Sequence, residues 1–66
     1  MTLSEACLFG EKRLEEAGVP EAGLNAWLLL EHVSGCTRSR YYAYPQEQLS
    51  EKEEREFRKA LEQRAS

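Results

Sequence analysis

Apolar side chains recur along the chain at helical spacing, and no stretch alternates apolar and polar residues as a half-buried strand does. The spacing predicts one helix over residues 3–17 and a second from Pro20 to Ser34. A short third helix is predicted over residues 38–43, and a last helix opens at Glu51. We therefore predict an all-α fold, a small irregular or orthogonal bundle of four helices with a short third helix.

Local signals mark the ends of these helices. Residues 2–5 and residues 50–53 each place a hydroxyl residue three positions before a glutamate, which is the capping-box pattern of a helix start. Thr37 is the expected cap of the short helix. Gly18 and Gly35 follow the first two helices at the position where a left-handed residue ends a helix.

The inner faces of the predicted helices should form one core. Its expected members are Leu3, Cys7, Leu14, Leu24, Leu28, Leu29, Val33, Leu49, Phe57 and Leu61. Leu28 lies in the middle of the widest apolar stripe, so Leu28→Ala should cost about 2–5 kcal/mol. Gly10 lies inside the first helix, where glycine costs about 1 kcal/mol against alanine, and it indicates the close approach of another backbone.

The length and net charge of the chain limit the classes of function and partner that it can have. A chain of 66 residues makes one domain, and its 12 acidic against 9 basic residues give a net charge of -3. That balance argues against binding a phosphate backbone, so no direct nucleic-acid partner is expected. The longest apolar run, residues 26–30, is too short to span a bilayer, and the N-terminus lacks a signal-peptide pattern. We expect a cytoplasmic domain with no membrane partner.

No constellation of residues points to catalysis. The chain has no glycine-rich phosphate loop and no nucleophile, histidine and acid at a recognisable spacing. We therefore predict no catalytic, cofactor-binding or metal-binding residue, and we expect Cys7 and Cys36 to be reduced thiols. The single histidine, His32, should be partly buried and bonded to a carbonyl or a tyrosine hydroxyl, with a role in a site as the alternative.

One segment has the composition of a binding surface. Residues 38–44 hold two arginines and three tyrosines, which are favoured at the anchors of protein interfaces and in single-strand nucleic-acid platforms. Either Tyr41 or Tyr42 should complete the core. Trp27 either fills the core or is an exposed anchor. The candidate partner-binding residues are Trp27, Arg38, Arg40 and Tyr41.

Residues 22–35 read Ala-Gly-Leu-Asn-Ala-Trp-Leu-Leu-Leu-Glu-His-Val-Ser-Gly, and residues 42–45 read Tyr-Ala-Tyr-Pro. This leucine-rich helix with its His-Val-x-Gly end, followed by an arginine, a Tyr-Ala turn and a proline, resembles the N-terminal domain of the release-factor glutamine methyltransferases, the PrmC/HemK family. Asn25, Trp27 and Ser34 stand where that family usually has Asp, Glu and an apolar residue.

The resemblance implies a larger enzyme that transfers a methyl group from S-adenosylmethionine to the glutamine of the Gly-Gly-Gln motif in bacterial peptide-chain release factors. Residues 1–66 would be its single helical N-terminal domain, which helps to hold the release factor, and a catalytic methyltransferase domain would follow in the same protein. This chain lacks the family's glycine-rich cofactor loop and its Asn-Pro-Pro-Tyr motif. It should therefore neither bind the cofactor nor methylate by itself.

Two other classes of function stay open. A free-standing helical module that binds an unrelated protein would suit the same composition. A helical nucleic-acid-binding domain would also use arginines and tyrosines, although the acidic balance argues against it.

Overall fold

Four helices make up the protein. A computed structural model describes residues 1–66 and contains α1 (Leu3–Glu16), α2 (Ala22–Ser34), α3 (Arg38–Ala43) and α4 (Glu51–Ala65). The prediction of an all-α fold with a short third helix is confirmed. No helix has the length and apolar character needed to cross a membrane.

The predicted helix caps are formed. The Thr2 hydroxyl accepts from the Glu5 backbone N–H at 3.0 Å, while the Glu5 carboxylate accepts from the Thr2 N–H at 2.8 Å. Ser50 and Glu53 repeat the same exchange at 3.1 and 3.0 Å. Two reciprocal bonds at each site satisfy N–H groups that a helix start leaves without an intrahelical partner.

The second helix begins two residues later than predicted. Glu21 is in the left-handed region at φ 52°, which costs a non-glycine residue about 1 kcal/mol or more and stops the helix from starting at Pro20. The Asn25 side-chain amide donates to the carbonyls of Pro20 and Glu21 at 3.0 and 3.1 Å. These two bonds hold the turn in place of a side-chain cap.

The core lies where α1, α2 and α4 pack against one another. Its buried apolar members are Leu3, Ala6, Leu14, Ala22, Ala26, Trp27, Leu30, Cys36, Leu49, Phe57 and Leu61. Cys7, Leu29, Val33 and Tyr41 pack against this cluster and are partly buried.

The predicted inner face of α2 is wrong at two of its four leucine and valine positions, Leu24 and Leu28, whereas Leu29 and Val33 pack against the core. Leu24 and Leu28 are 45% and 49% exposed, whereas Ala26, Trp27 and Leu30 are buried. Residues 26–30 are all apolar, so their periodicity does not choose between faces. The orientation found buries the large indole ring and puts the small Ala26 side chain against α1, which allows the two helices to approach closely. Because the Leu28 side chain is half exposed, Leu28→Ala should lower the free energy of unfolding by less than the loss of about 2–5 kcal/mol expected for a buried leucine.

Gly10 marks the closest approach of the helices. A Cβ atom at this position would lie 2.9 Å from the Phe57 ring, 3.1 Å from the Ala26 Cβ and 3.3 Å from the Leu61 side chain. Real Cβ atoms do not approach other atoms so closely without a shift. The expected close approach is therefore present, but side chains of α2 and α4 make it rather than a backbone.

The connector between α3 and α4 is bonded to the start of α1. The N–H groups of Leu3 and Ser4, in the first turn of α1, donate to the carbonyls of Glu47 and Pro45 at 2.9 and 3.0 Å. The Leu49 N–H donates to the Met1 carbonyl at 2.9 Å. The sequence pattern did not indicate this link, which fixes residues 44–49 and thereby the C-terminal end of α3.

Candidate protein-binding surface

The short helix α3 lies on the outside of the bundle. The Thr37 hydroxyl caps it by accepting from the Arg40 N–H at 3.1 Å, as predicted. None of its six residues is fully buried. A helix this short gains little from its own hydrogen bonds, so the side chains that it sets against the bundle decide its position.

A contact between two aromatic rings joins α3 to α2. The Tyr41 ring meets the Trp27 ring edge to face, with centroids 5.5 Å apart and planes at 69°. The Arg38 guanidinium carbon lies 5.1 Å from the centroid of the same indole ring. Trp27 is only 8% exposed, so it is a core side chain that supports α3 from below. Arg38 and Tyr41 thus both lie against Trp27, so the structure brings together three of the four candidate residues.

Tyr41 is the tyrosine that completes the core, and Tyr42 is 71% exposed. Burial raises the pKa of Tyr41, and the neighbouring Cys7 thiol raises it further. Burial also raises the pKa of Cys7, which the Tyr41 hydroxyl only partly offsets. Both groups are therefore neutral near pH 7, and Cys7 lacks the thiolate that reactive cysteines need. The second thiol, Cys36, is likewise free, and burial raises its pKa.

The fourth candidate, Arg40, is held by the connector. Its Nε donates to a Glu47 carboxylate oxygen at 2.9 Å, and its Nη2 donates to the other oxygen. This two-point pairing lowers the pKa of the Glu47 carboxyl. Arg38, by contrast, has no carboxylate within 4.0 Å. The two arginines of α3 therefore differ: Glu47 balances the charge of Arg40, whereas no carboxylate of the domain pairs with Arg38.

Two further tyrosines enlarge the exposed surface. Tyr42 meets the Tyr41 ring edge to face at 5.7 Å, and Tyr44 is 64% exposed at the end of α3. The candidate residues named from the sequence did not include them, although their tyrosine-rich segment was the available signal. We use "α3 surface" for Arg38, Arg40, Tyr41, Tyr42 and Tyr44.

The His32 side chain is exposed, so its expected partial burial is wrong. The error follows from the face of α2, because His32 lies one turn beyond the exposed Leu28. No group of three or more histidine, cysteine or acidic residues is placed to hold a metal ion.

The comparisons with known proteins give one match. The family model of the PrmC N-terminal domain matches residues 5–66. No curated protein and no solved structure matches the chain. Because the family model covers nearly the whole chain, the chain belongs to the PrmC N-terminal domain family and is associated with the release-factor methyltransferases.

Proposed function

We propose that this chain is the release-factor-binding domain of a protein-glutamine methyltransferase. It holds a bacterial peptide-chain release factor so that the Gly-Gly-Gln glutamine meets an S-adenosylmethionine-dependent catalytic domain in the same protein. The observation that carries this proposal is membership of the PrmC N-terminal domain family over residues 5–66. In this proposal residues 1–66 act as one helical unit.

The α3 surface is the part of the molecule best suited to contact the protein substrate. It presents arginine and tyrosine side chains, which are enriched among the residues that dominate binding energy at protein interfaces. The buried Trp27 ring fixes Arg38 and Tyr41 from below. A surface fixed before binding loses less conformational entropy when the partner arrives.

In this proposal the domain contributes by positioning and supplies no reacting group. Holding the glutamine near the methyl donor makes the transfer effectively unimolecular, which lowers its entropic cost. The groups whose pKa burial raises, Cys7, Cys36 and Tyr41, are neutral near pH 7 and in this proposal serve neither as nucleophile nor as base. In this proposal S-adenosylmethionine binds to the catalytic domain and not to the helical domain.

The test is titration of the 66-residue chain with a bacterial release factor, followed by NMR amide shifts and by calorimetry. We expect shifts concentrated on α3 and on the Trp27 indole N–H, and none when S-adenosylmethionine is added alone. Arg38→Ala with Arg40→Ala should weaken binding, whereas Arg55→Ala, an exposed arginine of α4, should not. No shift with the release factor, or shifts confined to α4, would contradict the proposal.

A further inference from the structure

We propose that Arg38 is the cation through which the α3 surface pairs with an acidic side chain of the partner, and that Arg40 is not. The inference rests on the proposed function, because it concerns the same surface and the same protein partner. It assigns different roles to two arginines that lie two positions apart on one short helix.

The pairing of Arg40 is the first step. Its guanidinium binds both carboxylate oxygens of Glu47, which belongs to the connector. The two bonds occupy the Nε–Nη2 edge of the Arg40 guanidinium. The Glu47 carboxylate also balances its charge within the domain. Arg40 therefore holds the connector against α3, and a carboxylate of the partner gains less from a charge that Glu47 already balances.

The position of Arg38 over Trp27 is the second step. Its guanidinium carbon lies 5.1 Å from the centroid of the Trp27 ring, a cation–π contact, and it has no carboxylate within 4.0 Å. Its N–H groups are therefore not paired with a carboxylate of the domain. The buried indole limits the conformations of the side chain, so less entropy is lost on binding. The result is an exposed positive charge, already oriented, with unused donors.

The ligand that fits this group is a carboxylate on a protein. A carboxylate accepts two parallel bonds from an arginine edge, and the exposed Tyr42 ring beside Tyr41 adds apolar contact area of the kind that surrounds interface anchors. A phosphate would accept the same bonds. The net charge of -3 on the chain disfavours a nucleic-acid backbone, which carries a phosphate at every step.

The experiment compares four variants of the 66-residue chain in titrations with a bacterial release factor. Arg38→Ala should weaken binding about tenfold or more, as expected for an interface anchor. Arg38→Lys should recover only part of the affinity, because lysine keeps the charge but loses the two-point bond. Arg40→Ala should weaken binding clearly less than Arg38→Ala, and Arg55→Ala, on α4, should stay within about threefold of the unchanged chain. Circular dichroism checks that each variant is folded.

The outcomes separate the inference from the function on which it rests. If the unchanged chain binds the release factor but Arg40→Ala weakens binding as much as Arg38→Ala, the inference alone is overturned. Equal, small effects at Arg38 and Arg55 overturn it as well. If the unchanged chain does not bind the release factor, both the proposed function and the inference fail. Arg38-dependent binding of a single-stranded RNA oligonucleotide that is tighter than release-factor binding would overturn the assignment to a protein carboxylate.

Discussion

Two regions of this small protein are held together by different kinds of interaction. In the three-helix body, formed by α1, α2 and α4, apolar side chains such as Phe57 and Leu30 are completely buried. In the α3–connector segment, residues 37–49, most side chains are exposed. The Tyr41–Trp27 ring contact and backbone bonds to α1 attach this segment to the body, and the Arg40–Glu47 pair holds α3 to the connector within it. Burial of a large apolar side chain contributes about 1.5–3 kcal/mol, and an exposed ion pair contributes much less. The body therefore sets the stability, while the segment sets the geometry of the surface.

The largest expected effect is a loss of stability in the three-helix body. Phe57 is fully buried and lies against Gly10, so Phe57→Ala leaves a cavity between α4 and α1. We expect a loss of about 3–5 kcal/mol in the free energy of unfolding, measured by urea titration with circular dichroism. A domain of 66 residues has only about 3–10 kcal/mol in total, so this loss removes a large part of its stability. A loss below 1 kcal/mol would contradict the core described above.

The next test compares two leucines on one helix. Leu30 is fully buried, whereas Leu28 is 49% exposed. Leu30→Ala should cost about 2–5 kcal/mol, and Leu28→Ala should cost less than about 1 kcal/mol. The same urea titrations measure both. Equal losses would show that α2 turns its other face to the core, as the sequence pattern suggested.

A pair of glycine substitutions tests the close contact of the body. At Gly10 a Cβ would press on the Phe57 ring and on Ala26, whereas at Gly23 it would meet only the flexible carboxylate of Glu11. Gly10→Ala gains about 1 kcal/mol in helix propensity but loses about 1–3 kcal/mol to overpacking, so we expect a net loss of up to about 2 kcal/mol. Gly23→Ala should be neutral or more stable. A more stable Gly10→Ala would refute the tight contact.

The smallest effect concerns the segment. Arg40 holds the pKa of the Glu47 carboxyl below its ordinary value of about 4.3. The pair therefore stabilises the fold fully above that value, and its contribution is lost as the pH falls through the lowered pKa. Amide exchange at Leu3 and Ser4, which donate to the connector, should become faster relative to amides of the body as the solution is acidified.

A matched carboxylate provides the control for this measurement. Arg13 lowers the pKa of the Glu62 carboxyl in the same way, but that pair joins α1 to α4 within the body. Glu47→Gln should remove the acid-induced change at the Leu3 amide, and Glu62→Gln should leave it in place. The reverse result would place the acid-sensitive link in the body.

Signals carried by neighbouring residues were predicted well from the sequence. The two capping boxes, the Thr37 cap and the left-handed Gly18 and Gly35 depend on a few adjacent positions, and all are present in the structure. These signals were sufficient to give the number of helices and the bounds of α3. Residues adjacent in the sequence determine such features, so they do not depend on how the helices pack.

Features that depend on packing were predicted less well. Residues 26–30 are all apolar, so the sequence pattern does not distinguish the faces of α2. The packing of Trp27 and Ala26 determines which face is buried. The arginines of the α3 surface were visible in the composition. The different surroundings of the two arginines could not be predicted, because they depend on Glu47 in the connector and on an indole ring in another helix.

The bonds between the connector and α1 also bear on the order of folding. The first turn of α1 receives its partners for Leu3 and Ser4 from Glu47 and Pro45, more than half the chain away. During synthesis these carbonyls leave the ribosome long after α1 does, and closing so long a loop is slow compared with helix formation. We therefore expect the start of α1 to be completed among the last events of folding, at the same time as α3 takes its place.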